Sequence, residues 1–299
     1  MRTLIIPDIH ERIIQAQNIL NFVNADKIVF TGDFFDSYDL PQEQSLKTAE
    51  WVKEKLYDPN VTMLTGNHDT HYMFQGRDAF SCSGYTFLKR NYINKILSQD
   101  DWNKVKGMTS VNGVLLCHAG LSSELVKYLS IQDKKMIDVN ESYSSAEDIV
   151  KAFDHPWDIA QKMGLKGDAH PLFWCSRYRM GSHMMSGITW CDKDEYIPLK
   201  GIATVFGHTR NRSGQHVFLR LNNPKNNHTD TYYPEIDTRD YSRLFENGVG
   251  IGIDSDLRGY AVIEGDELTV FSIVYNEDLS IESSKPVWKF NVKTLAEIK

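Results

Sequence analysis

The chain has 299 residues, 41% of them hydrophobic and 24% charged, with a formal net charge of −7. This length can bury a sizeable core in one large α/β domain or two small ones, and the composition is that of an ordinary globular protein. No run approaches the roughly eighteen apolar residues of a membrane span, and the acidic balance argues against a broad nucleic-acid surface.

The chain opens on Met1-Arg2-Thr3-Leu4-Ile5-Ile6-Pro7. Its apolar stretch is too short for the hydrophobic region of a signal peptide and reads instead as a buried first strand over residues 3–7. Residues 11–23 follow with apolar side chains at helical spacing (Ile13, Ile14, Ile19, Leu20, Val23). A second strand is expected over 27–31, a second helix over 42–56 and a third strand over 61–65. Strand-helix-strand at these lengths implies parallel pairing with helices on the sheet faces.

Beyond about residue 100 the texture changes. Residues 109–111 and 114–117 flank Asn112-Gly113, a hairpin turn signal. Helices are expected over 144–153 and 156–163, divided at Pro156. Strands are expected over 202–206, 216–220, 249–253, 259–264 and 267–274, the last two joined at Gly265-Asp266. Residues 222–247 are polar and read as a long surface loop. The chain as a whole, residues 1–299, is expected to be one domain in which two sheets pack face to face with helices outside.

Four cysteines, Cys82, Cys117, Cys175 and Cys191, fall at wide spacings without a C-x-x-C pair. Free thiols in a reducing cytoplasm are the expected reading.

Polar residues recur where the expected strands end. Asp8 and His10 follow the first, Gly32-Asp33-Phe34-Phe35-Asp36 the second and Gly66-Asn67-His68-Asp69 the third. Cys117-His118-Ala119-Gly120 and Phe206-Gly207-His208-Thr209 end two later ones. Ligands of open α/β sheets bind outside the carboxyl ends of the strands, so these clusters should converge on one edge. Taken singly, each could be a turn or a helix cap; five in this order are hard to assign to chance. Asp, His and Asn form the oxygen and imidazole set that suits Mn, Fe and Zn. His71, His155, His170 and His183 lack such context and are expected at the surface or as helix caps.

Asp8-x-His10, Gly32-Asp33-x-x-Asp36, Gly66-Asn67-His68-Asp69, His118 and Gly207-His208 resemble the calcineurin-like metallophosphoesterase superfamily. The likeness is nearest to its serine/threonine phosphoprotein phosphatase and diadenosine tetraphosphatase branch. His118-Ala119-Gly120-Leu121-Ser122 and Trp190-Cys191-Asp192 are similar to segments of that branch. The resemblance implies a four-layer α/β/β/α sandwich of two mixed sheets with a dinuclear metal centre. Asp8 and His10 would hold one ion, Asp33 would bridge, and Asn67, His118 and His208 would complete the other. His68 would be the general acid, oriented by Asp36. Two divalent ions against Asp8, Asp33 and a bridging hydroxide leave a residual charge of about +1 to attract phosphate. The implied activity is phosphomonoester hydrolysis by metal-activated hydroxide, with Mn as the first choice of metal and Fe or Zn as the others. Substrates would be phosphorylated small molecules, nucleotides or phosphoproteins, including serine/threonine phosphoproteins. Hydrolysis of dinucleoside polyphosphates or other nucleotides is the second reading. A non-catalytic scaffold would instead predict a damaged ligand set.

Three positions depart from the pattern. Arg210 stands where many phosphodiesterases of the superfamily have a second His, and Asp69 where the phosphoprotein branch has Glu. Ser37-Tyr38 replaces the Arg-Gly that grips phosphate in that branch, and a hydroxyl does not replace a bidentate guanidinium. Arg177 and Arg179, between His118 and His208, are the expected substitutes, with Arg210 a third.

Overall fold

The computed structural model describes residues 1–132, 143, 145–223, 228–235, 237 and 242–298. Its first part alternates as expected: β1 (Arg2–Ile6), α1 (Ile13–Phe22), β2 (Lys27–Phe30), α2 (Gln44–Leu56) and β3 (Val61–Met63). Helices α3 (Asn67–Met73), α4 (Phe87–Ile96) and α5 (Gln99–Trp102) precede the hairpin of β4 (Met108–Val111) and β5 (Val114–Cys117). Asn112 and Gly113 both take positive φ in that hairpin, at 48° and 80°, as the turn signal requires. Then come α6 (Ser123–Gln132), α7 (Ala146–Lys166), β6 (Ala203–Phe206), β7 (Phe218–Asn223), β8 (His228–Tyr232) and β9 (Val249–Gly252). The chain ends in β10 (Gly259–Glu264), β11 (Glu267–Tyr275), β12 (Ile281–Asn291) and β13 (Ala296–Glu297).

Among the described residues these strands make two mixed sheets. The seven-stranded sheet runs β13-β12-β11-β10-β1-β2-β3 and the six-stranded sheet β4-β5-β6-β9-β7-β8. Strand β1 is parallel to β2 and antiparallel to β10, while β5, β6 and β9 are parallel neighbours. The layers follow from strand alternation. Leu4 and Ile6 point into a core that holds Ile19 of α1 and Val52 of α2, whereas Ile5 points into a second core with Val205 and Ile251 of the other sheet. In β5 the same split sends Leu115 and Cys117 toward Leu125, Ile149 and Phe153, and Val114 and Leu116 toward the facing sheet. Both faces of these central strands are buried, and the result is the expected α/β/β/α sandwich. No helix of the described residues is long and apolar enough to cross a membrane.

Three expectations need correction, and one strand was not expected. Pro156 does not divide α7, which runs unbroken from Ala146 to Lys166. An interior proline removes a backbone hydrogen bond and crowds the preceding turn. Here Ile149, Phe153, Pro156, Ala160 and Gly164 form one continuous buried stripe, and packing outweighs propensity. The expected start of that helix at Ser144 lies outside the described residues. The expected loop over 222–247 contains β8, whose Thr229, Thr231 and Tyr232 pair with β7, and a 3-10 turn at Ser242–Asn247. Its residues 224–227, 236 and 238–241 lie outside the described residues. Polar strands of this kind belong at sheet edges, which is where β8 sits. Ile14, counted on the apolar face of α1, is exposed. Strand β12 escapes prediction because Pro286 interrupts it, and the register slips there beside Val270 and Phe271, as prolines in sheets require.

Phe290 of β12 is buried in the inter-sheet core, stacked on Trp288 and edge-on to Phe245. Phe290→Ala is expected to cost about 3–5 kcal/mol of unfolding free energy in urea titrations. A cost below about 1 kcal/mol would mean that the sheets are not held together through this layer.

Candidate metal centre

The loops after β1, β2, β3, β5 and β6 meet at one edge of the sandwich. Asp8, Asp33, Asn67, His68 and His118 are all buried there. Two groups of potential ligand atoms form within 4.8 Å of one another: Asp8, His10 and Asp33 in one, and Asp33, His118 and His208 in the other. Asp33 is common to both.

Backbone geometry delivers these side chains. His10, Asp33, Asp36 and His208 all adopt left-handed φ, at 41°, 52°, 66° and 61°. Such residues cost on the order of 1–3 kcal/mol each and persist where their surroundings over-determine them. For Asp33 the surroundings are a carboxylate: Asp69 accepts the backbone N–H of Asp33, Phe34 and Gly66, each at 2.8 Å. Asp69 thereby stitches the second loop to the third. Gly66 and Gly207 are needed for approach. A Cβ at Gly66 would overlap the Asp33 carboxylate, and one at Gly207 would overlap that of Asp8.

The hydrogen bonds fix which atoms are left over. His118 Nδ1 faces the Thr31 carbonyl at 3.0 Å and His10 Nδ1 the Phe35 carbonyl at 3.0 Å. A ring nitrogen facing a carbonyl carries the hydrogen, a tautomer assigned from the network, and its Nε2 is then a lone pair. Asn67 Nδ2 donates to Cys82 Sγ at 3.1 Å, which turns Asn67 Oδ1 toward His118. Around His118 Nε2 therefore stand Asn67 Oδ1 at 3.0 Å, His208 Nδ1 at 3.2 Å and Asp33 Oδ2 at 3.4 Å. Asn67 Oδ1 and Asp33 Oδ2 can only accept here, and His208 Nε2 is buried without a partner.

The charges are equally one-sided. Burial, then Asp254 and Asp33, push the Asp8 carboxyl well above the usual carboxylate range. Burial opposes ionisation of Asp33 as well, but the imidazoles of His118, His68 and His10 outweigh it and hold its carboxyl low. Burial holds His208 well below its ordinary value, with His118 and Arg179 adding to it, and burial lowers His10. Neutral imidazoles are the form that binds metal. Among the described residues, no Lys or Arg is in ion-pair contact with Asp8 or Asp33. A pocket of converging oxygen and imidazole ligand atoms with buried carboxylates and, among the described residues, no paired Lys or Arg fits divalent cations.

Beside this pocket His68 Nδ1 meets Asp36 Oδ2 at 3.1 Å. Burial lowers the His68 pKa, but Asp33 and Asp36 override it and raise the imidazole well above its ordinary value. A protonated His68 near neutral pH suits a proton donor. Asp36 is in turn held by Tyr72, which donates its hydroxyl to Oδ1, and by the buried Lys89, whose Nζ lies 3.5 Å from Oδ1 and 4.0 Å from Glu11.

Of the three arginines, Arg179 reaches inward. It pairs with Asp192 at 2.6 Å and donates to the hydroxyl of Thr209, next to His208, at 3.0 Å. Arg177 is exposed on the same turn, and Arg210, also largely exposed, pairs with Asp256 at 2.7 Å. The other histidines are apart from the pocket. His170 caps a 3-10 turn through Leu172 N–H, His183 stacks on Trp174, and His155 is exposed. His71 differs from expectation, being buried and stacked on Tyr85. Tyr72, Cys82 and Lys89 escaped sequence reading, because none stands at the end of a recognisable strand motif; Asp254, directly after the strand expected over 249–253, is a further neighbour of Asp8 that the five clusters do not include. Asp69 was legible only as part of the third cluster.

Gly66→Ala should displace Asp33 and lower bound metal per chain at least tenfold, with far-UV circular dichroism retained. Full metal content in that variant would mean that the close approach of the two loops is not what positions Asp33.

The chain matches the calcineurin-like phosphoesterase family over residues 1–209. No curated protein matches it. Among solved structures it is similar to a cold-active protein tyrosine phosphatase, with a TM-score of 0.52 at 13% identity over 99% of this chain and 80% of that one. It is also similar to a metallophosphoesterase from Sphaerobacter thermophilus, with a TM-score of 0.42 at 14% identity over 96% and 88%. A protein serine/threonine phosphatase from Saccharomyces cerevisiae follows, with a TM-score of 0.37 at 14% identity over 96% and 79%. Identities this low speak for fold alone. The family match is different in kind, since it spans well over half of the chain and includes all five clusters at the sheet edge. This chain belongs to the calcineurin-like phosphoesterase family and is a metal-dependent phosphoesterase.

Proposed function

We propose that the protein hydrolyses phosphomonoesters at a dinuclear centre, with Asp8, His10 and Asp33 holding one divalent ion and Asp33, Asn67, His118 and His208 the other. The observation that carries this reading is the convergence of Asn67 Oδ1, His208 Nδ1 and Asp33 Oδ2 on His118 Nε2. Ions bound there would neutralise phosphate charge and activate a water for in-line attack. Mn is the first choice, with Fe and Zn compatible with the same oxygen and imidazole donors.

The chain's own groups do the rest. His68, with Nδ1 tied to Asp36, has Nε2 to give a proton to the leaving oxygen, a contribution of about 10²–10⁴-fold in rate. Asp36 sets the ring orientation, and Tyr72 and Lys89 set that of Asp36. Arg179, next to His208 through Thr209, grips a phosphoryl oxygen and takes the place of the arginine missing after Asp36. Arg177 and Arg210 are set aside for this role by their exposure and, for Arg210, by its pairing with Asp256. A core cluster common to elements of both sheets supports reading residues 1–299 as one domain. Four free cysteines support a reducing, cytoplasmic setting. Phosphorylated small molecules, nucleotides and phosphoproteins are the proposed substrate classes.

The test is turnover of p-nitrophenyl phosphate with added Mn²⁺, together with metal content. His68→Ala should lose about 10²–10⁴-fold in kcat while retaining metal. Asp33→Asn should lose metal and activity together, and equal metal content in the two variants would contradict these roles. Arg179→Ala should lower kcat/KM at least about tenfold, the scale of a hydrogen bond to a charged group. Arg210→Ala should stay within about twofold, as exposed pairs do. The reverse order would move the phosphate grip to Arg210.

A further inference from the structure

The second residue of the pair that replaces Arg-Gly has a position of its own. Tyr38 follows Asp36-Ser37 directly and is 68% exposed, the reverse of the buried aromatic residues Phe34 and Phe35 just before it. Single exposed aromatics are ordinary, but this one stands at the proton donor. Its ring is edge-on to that of His68, with centroids 6.3 Å apart and planes at 89°. The hydroxyl is tied to Ser83 Oγ at 2.6 Å. The ring is thus held at both ends, by the backbone next to Asp36 and by the hydroxyl at Ser83, while most of its surface stays open to solvent.

The two sides of the site differ. His10 is also edge-on to His68, with centroids 5.0 Å apart. Arg179 and the half-buried Trp190 lie on the side of His208, where the Trp190 ring is 5.9 Å from the imidazole. On the reading proposed above, the phosphoryl group lies toward His208 and Arg179. The leaving oxygen must then sit at His68, and the organic part of the substrate continues outward past Tyr38. With its hydroxyl engaged by Ser83, Tyr38 offers a flat, amphipathic surface to the leaving group. A ring already restrained loses little conformational freedom when another ring stacks on it.

We propose that Tyr38 is a specificity-determining residue that selects phosphomonoesters whose leaving alcohol carries an aromatic ring. The inference rests on the assignment of His68 as proton donor. Aromatic contacts have definite geometric preferences and contribute beyond their buried area. An aryl leaving group gains that contact with Tyr38, whereas a short alkyl one has no ring to place there.

Free phosphotyrosine and free phosphoserine test this, since they share the amino-acid backbone and differ in the ring. The readout is the ratio of kcat/KM for phosphotyrosine to that for phosphoserine, with Mn²⁺ added. In Tyr38→Ala this ratio should fall about tenfold relative to wild type, the upper scale of an aromatic pair, through a rise in KM for phosphotyrosine. Tyr38→Phe, which keeps the ring, should restore the ratio to within about twofold of wild type. A ratio unchanged in Tyr38→Ala, or as low in Tyr38→Phe as in Tyr38→Ala, overturns the assignment. Wild-type turnover of p-nitrophenyl phosphate separates this failure from a deeper one. If it is absent, the proposed function itself falls; if it is present with an unchanged ratio, only the role of Tyr38 falls.

Discussion

Acceptor crowding at the sheet edge is the constraint on which the rest of the site depends. Asp8 and Asp33 are both almost fully buried, and His118 Nε2, His208 Nδ1 and Asn67 Oδ1 gather beside them. Gathering lone pairs and carboxylates out of water is costly unless a cation satisfies them. The surroundings therefore have to force the groups together before any cation arrives. The inter-sheet core fixes the strands, the left-handed residues turn the side chains inward, and Asp69 binds two loops with three hydrogen bonds. Carbonyls of Thr31 and Phe35 orient the His118 and His10 rings so that their Nε2 lone pairs face the pocket.

The same neighbourhood divides into two electrostatic regimes. Toward the metal pocket, burial lowers His10 and His208, and no Lys or Arg of the described residues pairs with the carboxylates. A few ångströms away, Asp36 receives Tyr72, Lys89 and His68 together, and His68 is raised rather than lowered. On the proposed reading, one set of residue types yields ligands on one side and a proton donor on the other. The difference lies in the partners, which is how neighbouring titratable groups come to divide acid and ligand roles.

Much of this was legible in the sequence because catalysis here uses strand ends. Short apolar runs closed by Gly-Asp, Gly-Asn-His-Asp or Gly-His mark where a strand stops and a side chain is presented, and β1, β2, β3, β5 and β6 all end near such clusters. What stayed hidden has a common cause. Lys89 and Tyr72 lie on helices whose faces look ordinary, and only the packing of α3 and α4 brings them onto Asp36. Cys82 lies in a loop, yet it orients Asn67 and touches His68. Strand β8 is polar because it is an edge, and α7 continues through Pro156 because its buried stripe does. Long-range packing decided each of these cases against local signal. The arginines illustrate the same point: the sequence offered three, and contacts with Thr209, Asp192 and Asp256 separate them.

All of these roles require the pocket to be a cation site. The most direct measurement is the number of divalent ions per chain, by elemental analysis of the wild-type protein after incubation with Mn²⁺ and removal of free metal. About two ions per chain, as a shared carboxylate between two ligand groups requires, is the predicted result. A chain that retains no Mn, Fe or Zn under those conditions would contradict it.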